Sequence, residues 1–183
     1  MKKFLFSKAL AVFLTLFGFS WSVSAQSDVF IKDDVVIHLG VGLGNYISHK
    51  GYSNWFAPIV ASFEYGVVDN MFDSKAGIGI GGYAAYTSFK GNSNKDSWGV
   101  SDFIIGARGI FHYQFVDNLD TYAGIMLGYD IVSFNQSDPD LTGSKFRPGY
   151  FIGARYYFTD NIAVFGELGY NTAPLEIGLC YKF

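Results

Sequence analysis

The chain has 183 residues and a formal net charge of −3, half of its residues are hydrophobic, and 19% are aromatic. This length suits one domain, and so small a net charge argues against nucleic acid as a partner. The single cysteine, Cys180, excludes an intrachain disulfide and a cysteine-based zinc cluster.

The first 25 residues have the organisation of a secretory signal peptide. A lysine-rich start precedes an apolar run over residues 9–19, and the small residues Val23 and Ala25 suit cleavage before Gln26. A retained membrane helix is the alternative interpretation, but the apolar run is shorter than the roughly 20 residues that a span requires. We therefore expect residues 1–25 to be a cleaved signal.

A short polar lead over residues 26–34, expected to be loose in the periplasm, precedes eight stretches in which apolar residues alternate with small or polar ones. Alternation with period two predicts strands with one apolar face. Most stretches are close to the roughly 9–11 residues that a tilted membrane strand needs. In chain order they span residues 35–43, 57–67, 76–86, 103–115, 123–131, 150–158, 162–170 and 175–183.

Short turns and longer loops alternate between these predicted strands. Three connections contain an Asp-Asn pair, a sequence that suits tight turns because both residues tolerate left-handed backbone. The pairs are Asp69-Asn70, Asp117-Asn118 and Asp160-Asn161. Polar loops at residues 90–99 and 135–145 lie on the opposite side. With both termini in the periplasm, the longer loops face outward, as in outer-membrane barrels.

Formal charge is confined to one face of the predicted strands. The apolar face carries none, whereas the other face carries Glu64, Arg108, Asp130, Arg155, Glu167, Glu176 and Lys182. The interior of an eight-stranded barrel is only wide enough for side chains to fill. The bulky apolar face must therefore meet lipid, and the glycine-rich face must line the lumen. The sequence predicts an all-β, eight-stranded antiparallel up-and-down transmembrane β-barrel over residues 35–183.

Two stretches resemble a known family. The last nine residues, LEIGLCYKF, alternate apolar and polar side chains and end on Phe183. Residues 153–170, GARYYFTDNIAVFGELGY, place an inward Arg and an inward Glu on either side of a polar turn. Both stretches resemble small bacterial outer-membrane β-barrel proteins of the OmpA/OmpX type, the outer membrane protein beta-barrel domain family. The resemblance concerns architecture and assigns no functional residue.

This resemblance implies a location and partners. It implies a place in the cell outer membrane of a Gram-negative envelope, in contact with outer-membrane lipid and lipopolysaccharide. It also implies that the barrel insertion machinery recognises the last strand. Leu179, Tyr181 and Phe183 would then form the terminal assembly signal.

The inward charged residues are interpreted as an ion-pair network that fills the lumen, because buried charges normally need partners. A conducting path or a catalytic cluster is the alternative. With symmetric hairpins, Arg155 lies opposite Phe165 and diagonal to Glu167, which predicts a pair between Arg155 and Glu167. The same construction places Arg108 opposite Gly128 and diagonal to Asp130, which predicts a second pair. The whole predicted network comprises Glu64, Arg108, Asp130, Arg155, Glu167 and Glu176.

An enzyme is the third functional alternative. Some eight-stranded outer-membrane barrels modify lipid A acyl chains, which requires a nucleophile beside a general base at the lipid-facing rim. Here His38 and His112 face the predicted lumen, His49 lies in the first outer loop, and the predicted lipid face contains no Ser, His, Asp or Glu. Cys180 faces the lumen and is interpreted as packing. We expect no cofactor and no metal site.

The favoured function is a non-enzymatic integral outer-membrane protein with a structural or surface-contact role through its extracellular loops. The alternative is a narrow channel or binding barrel for small solutes. A lipid-modifying enzyme is the third hypothesis. Sequence patterns of a barrel specify its architecture more strongly than its activity, so these alternatives stay open at this point.

Overall fold

The computed structural model describes residues 30–72, 74–91, 99–134 and 143–183. The predicted signal peptide, residues 26–29 of the lead, and most of the polar loops at 90–99 and 135–145 lie outside the described residues. Among the residues described, no helix is long and apolar enough to cross a membrane.

In the described part of the chain, nine antiparallel strands form one sheet, and eight of them close into a barrel. Closure comes from the pairing of the first strand with the last, and the remaining strand, β2, is a short segment that pairs with the end of β4. The predicted eight-stranded up-and-down barrel is therefore confirmed. The strands are β1 (Val35–Leu43), β2 (Tyr52–Asn54), β3 (Ile59–Met71), β4 (Ala76–Gly91), β5 (Gly99–Val116), β6 (Leu119–Phe134), β7 (Lys145–Tyr157), β8 (Ile162–Gly169) and β9 (Leu175–Lys182).

The barrel has two different ends. The terminal end carries Phe30, Phe183 and the short turns, and the loop end carries the connections after β1, β4, β6 and β8. Val116 pairs with Leu119, so Asp117-Asn118 is a two-residue turn as predicted, with Asn118 left-handed at φ 61°. The turn predicted at Asp69-Asn70 is wrong. Those residues lie within an irregular stretch of β3, and residues 72, 74 and 75 are in a turn instead.

The faces follow the predicted parity. Large apolar side chains such as Leu39, Ile125 and Leu127 are exposed on the outside, where lipid replaces water. Among the charged residues of the described strands, only Lys90 and Lys145 are exposed, and both lie at the loop end. The barrel wall therefore presents an uncharged apolar belt between its two ends.

The described part of the N-terminal lead, residues 30–34, is hydrogen-bonded to the barrel. The amide of Asp33 donates to the carbonyl of Gly66 at 2.9 Å, and the amide of Gly66 donates back to the carbonyl of Asp34 at 2.9 Å. These bonds place Phe30 inside the terminal end, where its ring stacks on the His112 ring with centroids 4.0 Å apart. The predicted looseness is therefore wrong for residues 30–34, because Phe30 gains burial in the barrel mouth.

The loop end is also filled from within. Residues 44–58, here called loop 1, fold back over the opening and bury Ile47. The connection between β8 and β9 turns inward as well, since Asn171, Thr172 and Ala173 are all buried. Ile47 packs in an apolar cluster with Val60, Tyr83, Ala85, Phe89, Val100, Ile104 and Met126.

Candidate functional site

Four charged side chains form a cluster in the lumen toward the terminal end, here called the lower cluster. Arg155 is completely buried, with Nη1 2.9 Å from Glu64 Oε2 and Nε 2.6 Å from Asp120 Oδ2. His112 joins the same two carboxylates, since its Nε2 contacts Glu64 and its Nδ1 lies 3.0 Å from Asp120 Oδ2. Each acid of the lower cluster therefore contacts both bases.

The hydrogen bonds of His112 fix its charge. A carboxylate accepts hydrogen bonds and has no proton to donate, so both ring nitrogens of His112 must donate, one to Glu64 and one to Asp120. The ring is therefore a positively charged imidazolium, and Phe30 stacks on its open face. The lower cluster holds two positive and two negative charges, so that its net charge is zero.

A second ion pair lies farther along the lumen. Arg108 Nη2 is 2.5 Å from Glu167 Oε1, and both side chains are buried. The Arg108 guanidinium also lies 3.5 Å from the centre of the Phe151 ring, within the range of a cation–π contact. Nearer the loop end, Arg147 Nη2 lies 2.9 Å from Asp130 Oδ2. Charged pairs thus occupy the lumen at three levels.

The two ion pairs predicted from the hairpins are wrong. Arg155 does lie opposite Phe165, yet it pairs across the lumen with Glu64 and Asp120 rather than with Glu167. In so narrow a barrel, side chains from opposite walls converge on the axis, and partners across the lumen lie within reach.

The register around Arg108 also differs from the prediction. The turn is centred between Asp117 and Asn118, and an irregularity between Gln114 and Val116 shifts the hairpin by one more position, so that Arg108 lies opposite Met126 instead of Gly128. Asp130 consequently pairs with Arg147. Arg108 forms its ion pair with Glu167, which lies on the opposite wall of the barrel.

Glu176 differs from the other five acids and bases of the predicted network. It is buried, and its described side-chain partner is the Tyr83 hydroxyl, which lies 2.7 Å from Oε1. It has no ion pair among the described residues, although β8 and β9 place it directly across from Glu167. The structure thus places Glu176 in the lumen, beside the network rather than within a pair.

Sequence reasoning missed three charged lumen residues. Asp102, Asp120 and Arg147 are buried in the lumen, but they lie beyond the ends of the predicted strands. Each has the same parity as the lumen residues of its own strand. Extending the alternation past the apolar stretch would therefore have found all three.

Ser62 and His38 are in contact in the lumen, but the direction of the hydrogen bond between them does not suit a nucleophilic serine. His38 Nε2 lies 3.1 Å from an Arg155 nitrogen that can only donate, so Nε2 accepts and the ring proton sits on Nδ1. That Nδ1 then donates to Ser62 Oγ at 3.1 Å. A general base must accept the serine proton, and His38 is held in the tautomer that cannot do so.

Among the residues that the structure describes, the exposed charges around the mouth of the loop end are positive. Lys50, Lys90 and Lys145 are exposed there, and the acids described at that end, Asp102, Asp130 and Glu176, are all buried. Lys90 Nζ lies 4.0 Å from the centre of the exposed Trp55 ring. This contact holds an ammonium group beside an aromatic side chain at the edge of the apolar belt.

The closed barrel, the apolar belt and the charge-filled lumen define a small transmembrane β-barrel of the outer-membrane class. Its fold is similar to that of Ail, the attachment invasion locus protein of Yersinia pestis, solved with the heparin analogue sucrose octasulfate. The two share 14% identity over 84% of this chain and 100% of that chain, with a TM-score of 0.54.

The outer membrane protein OprG from Pseudomonas aeruginosa has a similar fold. It is 10% identical over 84% of this chain and 97% of that chain, with a TM-score of 0.50. The sequence matches no family model and no curated protein. At such low identity the similarity establishes the fold, which is that of the small outer-membrane barrels, as the sequence predicted.

Proposed function

We propose that the protein is a non-enzymatic barrel of the bacterial outer membrane that acts as a closed anchor and makes surface contacts at its loop end. The observation that carries this proposal is the filled lumen. Phe30 occupies one end, ion pairs occupy the middle, and Ile47 occupies the other end. The polarity of the contact between Ser62 and His38 supports a structural role for these side chains.

A closed lumen predicts negligible conductance. We expect the purified protein to give no steady current steps in planar bilayers, because an eight-stranded barrel filled by side chains leaves no continuous water path. The measurement is single-channel recording, with a protein-free detergent blank as control. Reproducible steps of one size would support the solute-channel alternative and contradict the closed anchor.

The loop-end lysines favour an anionic partner, and we propose the phosphate groups of lipopolysaccharide. The exposed Lys50, Lys90 and Lys145 lie where headgroups of the outer leaflet would meet the barrel. Basic residues near an anionic lipid surface contribute on the order of 1 kcal/mol each. The solved complex of Ail with sucrose octasulfate shows a polyanion on a barrel of this fold.

Replacing Lys50, Lys90 and Lys145 together with alanine is expected to weaken lipopolysaccharide binding at least about tenfold. Binding can be measured on the protein in phosphatidylcholine nanodiscs titrated with purified lipopolysaccharide. The control removes two positive charges at the terminal end, by replacing the exposed Lys32 and Lys75 with alanine, and should bind like the parent. Equal losses in both variants would show that the loop end has no special role.

The same proposal assigns roles to the first 34 residues and to the last strand. Residues 1–25 would be the cleaved secretory signal, and residues 26–34 the periplasmic lead. The barrel insertion machinery would recognise β9 and the residue that follows it, since the Leu179 and Tyr181 side chains of the strand and the adjoining Phe183 are exposed on the lipid side. The apolar row on the lipid face of this strand supports the role, because it is accessible before β9 pairs with β1.

A further inference from the structure

The lipid-facing wall contains an apolar groove of about 820 Å³. Its floor consists of small side chains on three neighbouring strands, since Ala61, Ala84 and Ala107 face outward from β3, β4 and β5. Larger side chains border it, namely Phe63, Ile105, Leu127, Tyr129 and Phe146. The groove lies toward the loop end, because Ala61 and Phe146 are near the ends of β3 and β7 on that side. It is therefore a depression in a surface that already meets hydrocarbon.

A row of hydroxyl groups lies between this groove and the loop end, here called the hydroxyl row: Ser88, Ser101 and Ser133. Ser101 lies opposite Ser88 on β4 and opposite Ser133 on β6. The Tyr86 hydroxyl is 3.1 Å from Ser101 Oγ, which donates to Ser88 Oγ at 3.3 Å. Alternation along β4 places Tyr86 and Ser88 on the same outer face as Ala84, in steps of about 7 Å. Because interfacial tyrosines mark the edge of the hydrocarbon, the hydroxyl row lies at the level of the lipid headgroups.

A positive charge lies beyond the hydroxyl row on the same strand. Lys90 follows Ser88 by two residues, so it shares the outer face of β4, and it is exposed. Its Nζ lies 4.0 Å from the centre of the Trp55 ring. Trp55 is itself fixed to the strand, since its amide donates to the carbonyl of Ser88 at 3.0 Å. The outer face of β4 therefore presents an apolar floor at Ala84, hydroxyl groups at Tyr86 and Ser88, and an ammonium group at Lys90.

The order of these groups matches the order of groups in an anionic lipid. An acyl chain is complementary to the apolar groove, headgroup oxygens accept hydrogen bonds from hydroxyl groups, and a phosphate pairs with an ammonium group. A second copy of the chain is less suited to this wall. Two barrels insert in the same orientation, so a symmetric dimer through this wall brings the two Lys90 side chains together, where like charges repel.

We propose that this wall binds one phosphorylated lipid of the outer leaflet, with an acyl chain in the groove and the headgroup on the hydroxyl row and Lys90. The proposal rests on the function proposed above, in which the loop end meets lipopolysaccharide, and it assigns that contact to one wall of the barrel. Each methylene group buried in the groove adds to the affinity. The groove thus gives the bound lipid a fixed position, which exposed lysines alone do not supply.

The test fills the groove without changing any charge. Ala84→Phe places a ring in the groove, and the control Ala123→Phe places the same ring in a second apolar depression of the lipid face, nearer the terminal end. Each protein in phosphatidylcholine nanodiscs is titrated with purified lipopolysaccharide, and bound lipid is counted by native mass spectrometry. Ala84→Phe is expected to weaken binding at least about fivefold, which corresponds to little more than one buried methylene group. Ala123→Phe should bind like the parent.

The outcomes separate this inference from the proposed function. If Ala84→Phe does not fold, Ala107→Phe fills the same floor from β5 and is expected to give the same loss. Binding equal to that of the parent in the groove variants, or an equal loss in Ala123→Phe, overturns the groove and leaves the contact of the loop end with lipopolysaccharide intact. Absence of binding in the parent overturns both.

A second measurement identifies the part of the ligand that occupies the groove. Lipopolysaccharide stripped of its acyl chains keeps its phosphates, and it should bind the parent at least about tenfold more weakly than the intact lipid. Ala84→Phe should not change the affinity for this stripped saccharide. Equal affinities of the parent for both ligands would show that phosphate alone suffices, which contradicts the proposal. A dimer of the parent in detergent that Ala84→Phe abolishes would identify a second copy of the chain as the occupant and also contradict it.

Discussion

Replacing Arg155 with methionine is expected to destabilise the barrel by on the order of 3–5 kcal/mol, the usual cost of removing one partner from a buried ion pair. Arg155 is completely buried and contacts Glu64, Asp120 and His38. Without it, the lower cluster keeps two carboxylates and only one cation, His112. Reversible unfolding by urea from lipid vesicles would give the free energy.

Adding Glu64→Gln to Arg155→Met provides the matched control. The double variant leaves Asp120 paired with His112, so the lower cluster is again neutral. We expect it to recover much of the lost free energy, because residues in one ion-pair network do not contribute additively. Additive losses would show that Arg155 and Glu64 do not act as partners.

Replacing Leu127 with arginine is expected to cost roughly 2–4 kcal/mol, because its side chain meets lipid near the middle of β6. At this position the guanidinium of the new arginine would have to leave water and enter the hydrocarbon core of the bilayer. The same vesicle unfolding experiment measures the loss. Stability equal to that of the parent would overturn the assignment of the lipid face.

Val116→Arg is the control for depth. Val116 is also exposed on the barrel wall, but it ends β5 beside the turn at the terminal end. There the guanidinium reaches water, and a cost of about 0–1 kcal/mol is expected. Equal costs at the two positions would indicate a general loss of packing instead of a membrane effect.

The strands and their faces could be predicted because they depend on local periodicity. Alternation identifies a strand, and the small volume of an eight-stranded barrel decides which face is inside. The ends of the strands were predicted too short, since β4 and β5 continue past the membrane belt with polar side chains such as Lys90 and Asp102. Beyond the lipid, the apolar alternation that marks a strand is no longer required.

The partners inside the lumen could not be predicted from hairpin geometry. The contact between Arg155 and Glu64 joins β7 to β3, and such a contact depends on how far each strand is staggered around the barrel. Phe30 was missed for another reason. A single aromatic residue in a polar segment has no periodicity, so its burial depends on the shape of the finished barrel mouth.

The pairing of β1 with β9 has a kinetic consequence. This seam joins residues such as Val36 and Lys182, which lie at opposite ends of the folded chain. Contacts between distant parts of a chain form slowly, because the loss of chain entropy precedes the gain from pairing. The seam cannot form until β9 is available to pair with β1. The barrel therefore closes as one unit, and its closing contact is the pairing that spans the greatest separation along the chain.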